Sequence, residues 1–209
     1  MIRLAFALAL ALAGIAATNC AVAADPPAPD AAPPAATDDS FVDYVLIEDW
    51  ALPLRRSGNT VVSRRYLPFY AVALYVGRGP VDATALAKGH VACRIAIRWL
   101  VPKVSAADAD AYWREQFGKA VPDALARQRL EPSFARIAAA FGEAARGDEL
   151  MLDYHPERGL RVSRNGAVAG QFAGLELNRT VLSLWLGPQA PSDLRNALLG
   201  VATPFDAAQ

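Results

Sequence analysis

The order of periodicities along the chain predicts an α+β fold: an antiparallel sheet with helices gathered mainly on one face. Three observations carry this. One strand, inside "YLPFYAVALYVGRG" (66–79), is apolar on both faces, and a second, "ACRIAIRWL", alternates cleanly. Two helical stripes then precede an Asn-Gly hairpin, and two more close the chain. The regular strand–helix–strand alternation of a parallel sheet is absent.

"YVLIEDWAL" reads as a first strand, and "TVVSRRYLPFYAVALYVG" as a second, long or broken one. Neighbouring side chains of an extended chain face opposite ways. Phe69, Ala71, Ala73 and Tyr75 therefore share one face, and Tyr70, Val72, Leu74 and Val76 the other. A strand apolar on both faces is covered on both, and this one is too short to cross a bilayer as a helix. In "ACRIAIRWL", Ile95, Ile97 and Trp99 oppose Arg94, Ala96 and Arg98, giving a strand with one wet or pocket-facing side.

Ser105 with Asp108 resembles a capping box, opening a helix whose buried stripe includes Ala109, Trp113, Phe117 and Ala120. Leu130, Phe134, Ile137 and Phe141 then recur at helical spacing. "DELMLDY" sets Leu150, Leu152 and Tyr154 on one side of a strand. "LRVSRNGAVAGQF" reads as a hairpin, because Asn165-Gly166 suits a turn that needs positive φ twice. Leu177, Val181, Leu184 and Trp185 form the next stripe, stopped at Gly187-Pro188. Ser192 is the expected cap of a last short helix that Gly200 closes.

The folded unit is expected at 41–205. Before it, residues 1–24 hold Arg3, an apolar run and the small residues Ala21 to Ala24, the layout of a secretory signal peptide. Residues 25–40, rich in proline and alanine, have no apolar face to bury and read as a disordered spacer. Export to the periplasm is the expectation, with no membrane span once the leader is removed.

The whole chain has 21 basic and 21 acidic residues; removing the leader takes away only Arg3, leaving a balance of about −1. Nothing in that balance calls for nucleic acid as a partner. With Cys20 in the leader, Cys93 stands alone, so no internal disulfide forms. His90 and His155 have no metal-ligand spacing, no serine sits in a nucleophile elbow and no glycine loop suits phosphate. No metal and no cofactor is expected. Asp153 and Glu149 fit a solvated strand face better than a catalytic pair of carboxylates.

What remains is a set of polar groups on apolar elements. Tyr70 and Tyr75 lie on the doubly covered strand, Tyr112 sits beside Trp113, and Arg55, Arg56, Arg64 and Arg65 crowd the approach to that strand. A phenol wants a hydrogen-bond partner when buried, and a guanidinium grips a carboxylate with two prongs. An apolar pocket ending in such groups suits a fatty or aromatic acid. Ordinary core tyrosines and solvated arginines would give the same pattern.

The succession "PFYAVALYV", "RGDELMLDYHPERGLRVSRNGAVAGQF" and "VLSLWLGPQAPSDLRNALLG" resembles the chalcone isomerase-like family, in its bacterial exported branch, over nearly all of residues 45–200. The resemblance implies an open-faced β-sandwich, a large antiparallel sheet flanked by helices with a cleft between. It also implies one of two activities. Members with the full catalytic set cyclise a chalcone to a flavanone by intramolecular oxa-Michael addition. Members without it bind fatty acids in the same cleft, through an arginine and a tyrosine.

This chain departs from the catalytic pattern. Val62 stands at the family's arginine position, with Arg64 one strand repeat further on the same face, and Tyr70 replaces a threonine. Tyr112 falls near the family's helix tyrosine, but Glu115 and Lys119 fall where a lysine and an asparagine are expected, and Leu184 or Trp185 where a second threonine is. Most of the apparatus that would stabilise an enolate is missing. The leading expectation is therefore a non-catalytic binder of a small apolar or amphipathic carboxylate such as a fatty acid, held by Arg64, Tyr70 and Tyr112. The alternatives are an isomerase (intramolecular lyase) on an enone-type substrate, with Tyr70 or Tyr112 as proton donor and Arg64 as stabiliser, or a structural or interaction protein of the cell envelope whose cleft is closed by Tyr70, Trp99 and Trp113. The sequence leaves the oligomeric state open.

Overall fold

Seven antiparallel strands form the main sheet of the computed structural model, which describes residues 40–77 and 81–201. The leader at 1–24 and all of the spacer except Ser40 lie outside the described residues, as do 202–205 at the far end of the expected domain. In chain order the elements are β1 (Tyr44–Ile47), β2 (Leu52–Arg64), β3 (Leu67–Val76), α1 (Ala83–Ala87), β4 (Cys93–Trp99), β5 (Lys103–Val104), α2 (Ala106–Ala120), α3 (Ala124–Phe141), β6 (Ala144–Ala145), β7 (Glu149–His155), β8 (Gly159–Arg164), β9 (Ala167–Phe172), α4 (Leu175–Leu186) and α5 (Ser192–Leu199), with one 3-10 turn at Glu48–Trp50. The sheet order is β1-β2-β3-β4-β7-β8-β9, and β5 pairs with β6 in a separate ribbon. The predicted α+β class and its antiparallel sheet are what the chain adopts.

β3 is buried at every position from Phe69 to Val76, as a strand apolar on both faces must be. Tyr70, Val72, Leu74 and Val76 join the large core under the helices. Ala73 and Tyr75 join a smaller cluster behind the sheet with Ile47, Leu54 and Ala96. The helix-side core takes in the predicted stripes: Trp113 and Phe117 from α2, Phe134 and Ile137 from α3, and Val181 and Trp185 from α4. Phe117 and Phe134 stack at 4.1 Å between centroids, joining α2 to α3.

Several local expectations need correction. The stretch 60–77 is not one strand: it doubles back at Arg65 (φ 51°) and Tyr66 (φ 68°), a two-residue hairpin made without Gly or Asn. Phe69 does not face away from Tyr70. The pairing steps from Val62↔Tyr70 to Ser63↔Pro68, leaving Phe69 as an unpaired bulge residue; a bulge resets the alternation of side chains, and both rings reach the helix side. Ser192 is the first helical residue of α5, with Pro191 at the cap position and no side-chain cap bond. The Ser105 cap is as read: its Oγ accepts from the Asp108 N–H at 3.1 Å. Asn165 (φ 47°) and Gly166 (φ 80°) make the expected β8–β9 turn.

Asp153 is also not on a wet strand face; it is only 1% exposed. Arg94, its cross-strand neighbour, grips it with two bonds of 2.5 and 3.0 Å. Arg161 of β8 adds a third of 2.9 Å while its other terminal nitrogen reaches Asp49 at 2.6 Å. Two flanking guanidiniums are what allow a carboxylate to be buried there.

Candidate functional site

The three residues singled out for a ligand converge at one edge of the sheet–helix interface. Arg64 ends β2, Tyr70 lies near the start of β3, and Tyr112 is in the middle of α2. Together they line a hollow of about 300 Å³; Val62, Leu184, Trp185 and Leu194 give it an apolar side, and Arg65, Glu115, Gln116 and Lys119 a polar rim. Val62 and Arg64 share a face of β2, as the strand period requires; α4 and α5 supply the apolar side.

Tyr70 is 2% and Tyr112 6% exposed, and their hydroxyl oxygens are 3.2 Å apart. The indole Nε1 of Trp185 donates to the Tyr70 hydroxyl at 3.1 Å. An indole N–H can only donate, so the Tyr70 oxygen accepts there and its own proton is available to Tyr112. When Tyr70 donates to Tyr112, the Tyr112 proton is left for an acceptor in the hollow. Burial raises the Tyr70 phenol well above its ordinary value of 10, and the neighbouring Tyr112 adds to the rise. Burial raises Tyr112 too, against smaller lowering influences of the Tyr70 bond and of Arg64. Both phenols are neutral donors at physiological pH and poor bases.

Arg64 lies over two aromatic faces, its Cζ 5.6 Å from the Tyr112 ring centroid and 5.7 Å from that of Phe69. Such stacking holds a guanidinium in place without using its N–H donors. Among the described residues no carboxylate pairs with it. Glu115, also at the rim, is engaged by Lys119 at 2.7 Å, and that bond, with Lys119's charge, lowers its pKa.

Deeper in, the interface is closed. Tyr70, Trp99 and Trp113 pack together with centroid separations of 5.6 to 6.3 Å, and Trp113 is in turn 5.6 Å from Trp185. The buried Trp113 indole N–H has no acceptor among the described residues. The space beside Arg64, Tyr70 and Tyr112 is the outer hollow, near the lower limit for small-molecule sites.

Sequence reasoning singled out Arg64, Tyr70 and Tyr112 but missed the Trp185 N–H as the group that orients Tyr70, and α5 as a wall. The aromatic stripe of α4 held the first signal; nothing local held the second. A larger hollow of about 460 Å³ lies behind the sheet against Tyr75, Arg94 and Arg98, but those arginines are already paired with Asp153 and Glu149. Among the described residues no cluster of His, Cys, Asp or Glu could hold a metal ion, and no helix is long and apolar enough to cross a membrane.

Comparison with known proteins gives the same picture of the fold. A family profile described as chalcone isomerase-like matches residues 47–200. The crystal structure of an Arabidopsis thaliana fatty-acid binding protein superposes with a TM-score of 0.58 at 15% identity, covering 75% of this chain and 96% of that one. No curated protein sequence matches.

Proposed function

The chain belongs to the chalcone isomerase-like family, and from that premise we propose that it is a non-catalytic binder of a small carboxylate with an apolar tail, such as a fatty acid. The observation that carries this is the convergence of Arg64, Tyr70 and Tyr112 on one hollow that has apolar side chains on one side and a polar, mostly basic rim on the other. Arg64 supplies charge and Tyr112 a neutral O–H, the two donors a carboxylate head needs. Leu184 and Leu194 meet the first part of the tail. The modest volume favours a short acyl chain, or the head of a longer one. The structural neighbour is a fatty-acid binding protein, which supports the ligand class. Val62, Tyr70, Glu115 and Lys119 stand where a catalytic member would carry its reacting groups, which argues against flavanone formation. The leader-like residues 1–24 support export, and hence the periplasm, as the place of action.

The test is a titration of the purified protein with fatty acids of graded length, alongside mass spectrometry of whatever co-purifies. Binding that Arg64→Ala weakens about tenfold or more, at unchanged thermal midpoint, is the expected result. No bound lipid and no response to any chain length would sink the reading. The interlocked Tyr70, Trp99 and Trp113 favour a second reading, a structural or interaction protein of the envelope. It would gain if the protein bound nothing and Arg64→Ala changed nothing.

A further inference from the structure

The β2–β3 hairpin closes on Arg65 and Tyr66, both at positive φ. Such a turn favours Asn-Gly, and the same chain uses Asn165-Gly166 where β8 meets β9. Holding two non-glycine residues in the left-handed region costs stability, and strain that persists points to a use outside the fold. Among the described residues these two side chains make no hydrogen bond or ion pair that would offset that cost. Tyr66 is 102% and Leu67 68% exposed, and among the described residues Arg65 has no salt bridge. The tip adjoins the hollow, since Arg64 and Arg65 line it. Around that mouth Arg64, Arg65 and Lys119 face one carboxylate, Glu115, so it is net positive on a chain whose charges balance overall.

We propose that this hairpin tip is a docking element for an anionic lipid surface, with Tyr66 and Leu67 entering the interface and Arg64 and Arg65 meeting the headgroups. Tyrosine is suited to that depth, its ring in the acyl boundary and its hydroxyl among headgroups. Each basic residue near an anionic surface adds to the attraction. The tip favours lipid over a protein partner: a two-residue turn by itself supplies far less than the roughly 1,000 Å² that a stable protein interface needs, whereas a headgroup layer yields to a small wedge. Docking stands on the tip's geometry alone. It rests on the ligand reading only for its purpose, which is to bring the mouth of the hollow to the membrane that supplies or receives the fatty acid.

The test is co-sedimentation with vesicles of phosphatidylglycerol mixed into phosphatidylcholine, without fatty acid, using the protein as its host processes it and every variant in the same form. Wild type should pellet with the anionic vesicles, less with pure phosphatidylcholine, and less as salt rises. The double variant Y66G/L67S should lose about tenfold or more of that binding. It should keep or raise the thermal midpoint, because glycine relieves the left-handed position, and keep fatty-acid binding measured in vesicle-free solution. Arg65→Glu should abolish pelleting. Equal binding to neutral vesicles, no binding by wild type, or wild-type binding by Y66G/L67S would overturn the proposal. So would a wild-type dimer that Y66G/L67S converts to a monomer, which would make a second copy the partner. Loss of fatty-acid binding in solution would count against the ligand reading and leave the vesicle result intact.

Discussion

The hydroxyls of Tyr70 and Tyr112, 42 residues apart in the chain, stand 3.2 Å from each other with the Trp185 N–H donating to the first of them. This relay orders the losses expected when either phenol is removed. Tyr70→Phe leaves the buried Trp185 N–H without an acceptor, which should cost about 1–3 kcal/mol in urea unfolding. Tyr112→Phe removes one bond at the edge of the hollow and should cost about 1 kcal/mol or less, while weakening carboxylate binding. Equal losses from the two variants would show that the indole contact contributes nothing.

Alkaline pH should unfold the protein through the same residues. Tyr70 and Tyr112 have folded pKa values raised above 10, chiefly by burial. In the unfolded chain each phenol ionises at about 10, whereas in the folded one it holds its proton to higher pH. Their contribution is therefore complete below about pH 10 and lost as pH rises through the folded values. Thermal midpoints measured from pH 8 to pH 11 should be flat at first and then fall. Tyr70→Phe should shallow that fall; an unchanged slope would assign it to other groups.

Asp153 offers a larger effect. Its side chain is 2% exposed and bridges Arg94 and Arg161, themselves 16% and 13% exposed. Asp153→Ala leaves two poorly solvated guanidiniums facing one another, and removing one partner of such a buried pair costs about 3–5 kcal/mol. The midpoint of guanidinium unfolding reads this directly. A loss under about 1 kcal/mol would mean that the arginines swing out to water.

Gly58 sets the distance between α5 and the sheet. A Cβ there would lie 1.9 Å from the Ala197 carbonyl oxygen, a clash with backbone that no rotamer change relieves. Gly58→Ala should destabilise by about 1–3 kcal/mol. Because α5 carries Leu194 into the hollow, it should also weaken fatty-acid binding. Calorimetry of the variant, free and with ligand, checks both effects. Unchanged values would place α5 looser on β2 than the contact implies.

Much of this molecule was legible residue by residue. The two apolar faces of β3, the Ile95–Ile97–Trp99 alternation, the Ser105 cap and the Asn165-Gly166 turn each follow from a local rule, so reading them needed no partner. The Arg65-Tyr66 turn was not legible, because neither residue favours positive φ and only the pairing of β2 with β3 imposes it. Phe69 was misplaced for a related reason: a bulge is a property of two strands in register, and strict alternation within one strand cannot reveal it. Asp153 read as solvated because its arginine partners lie 59 residues before it and 8 after, on two other strands.

For the site the division is the same. The sequence by itself determined which side chains of the right chemistry sit on apolar elements, since periodicity alone puts Tyr70 on β3, Arg64 on a face shared with Val62, and Tyr112 on the α2 helix. Only the tertiary structure decided that the three meet, that Trp185 orients Tyr70, and that the Tyr70–Trp99–Trp113 rings pack beneath the outer hollow. The reason is physical: periodicity is a property of one element, whereas a cavity is the volume left over when several elements pack, and that remainder depends on every side chain around it at once.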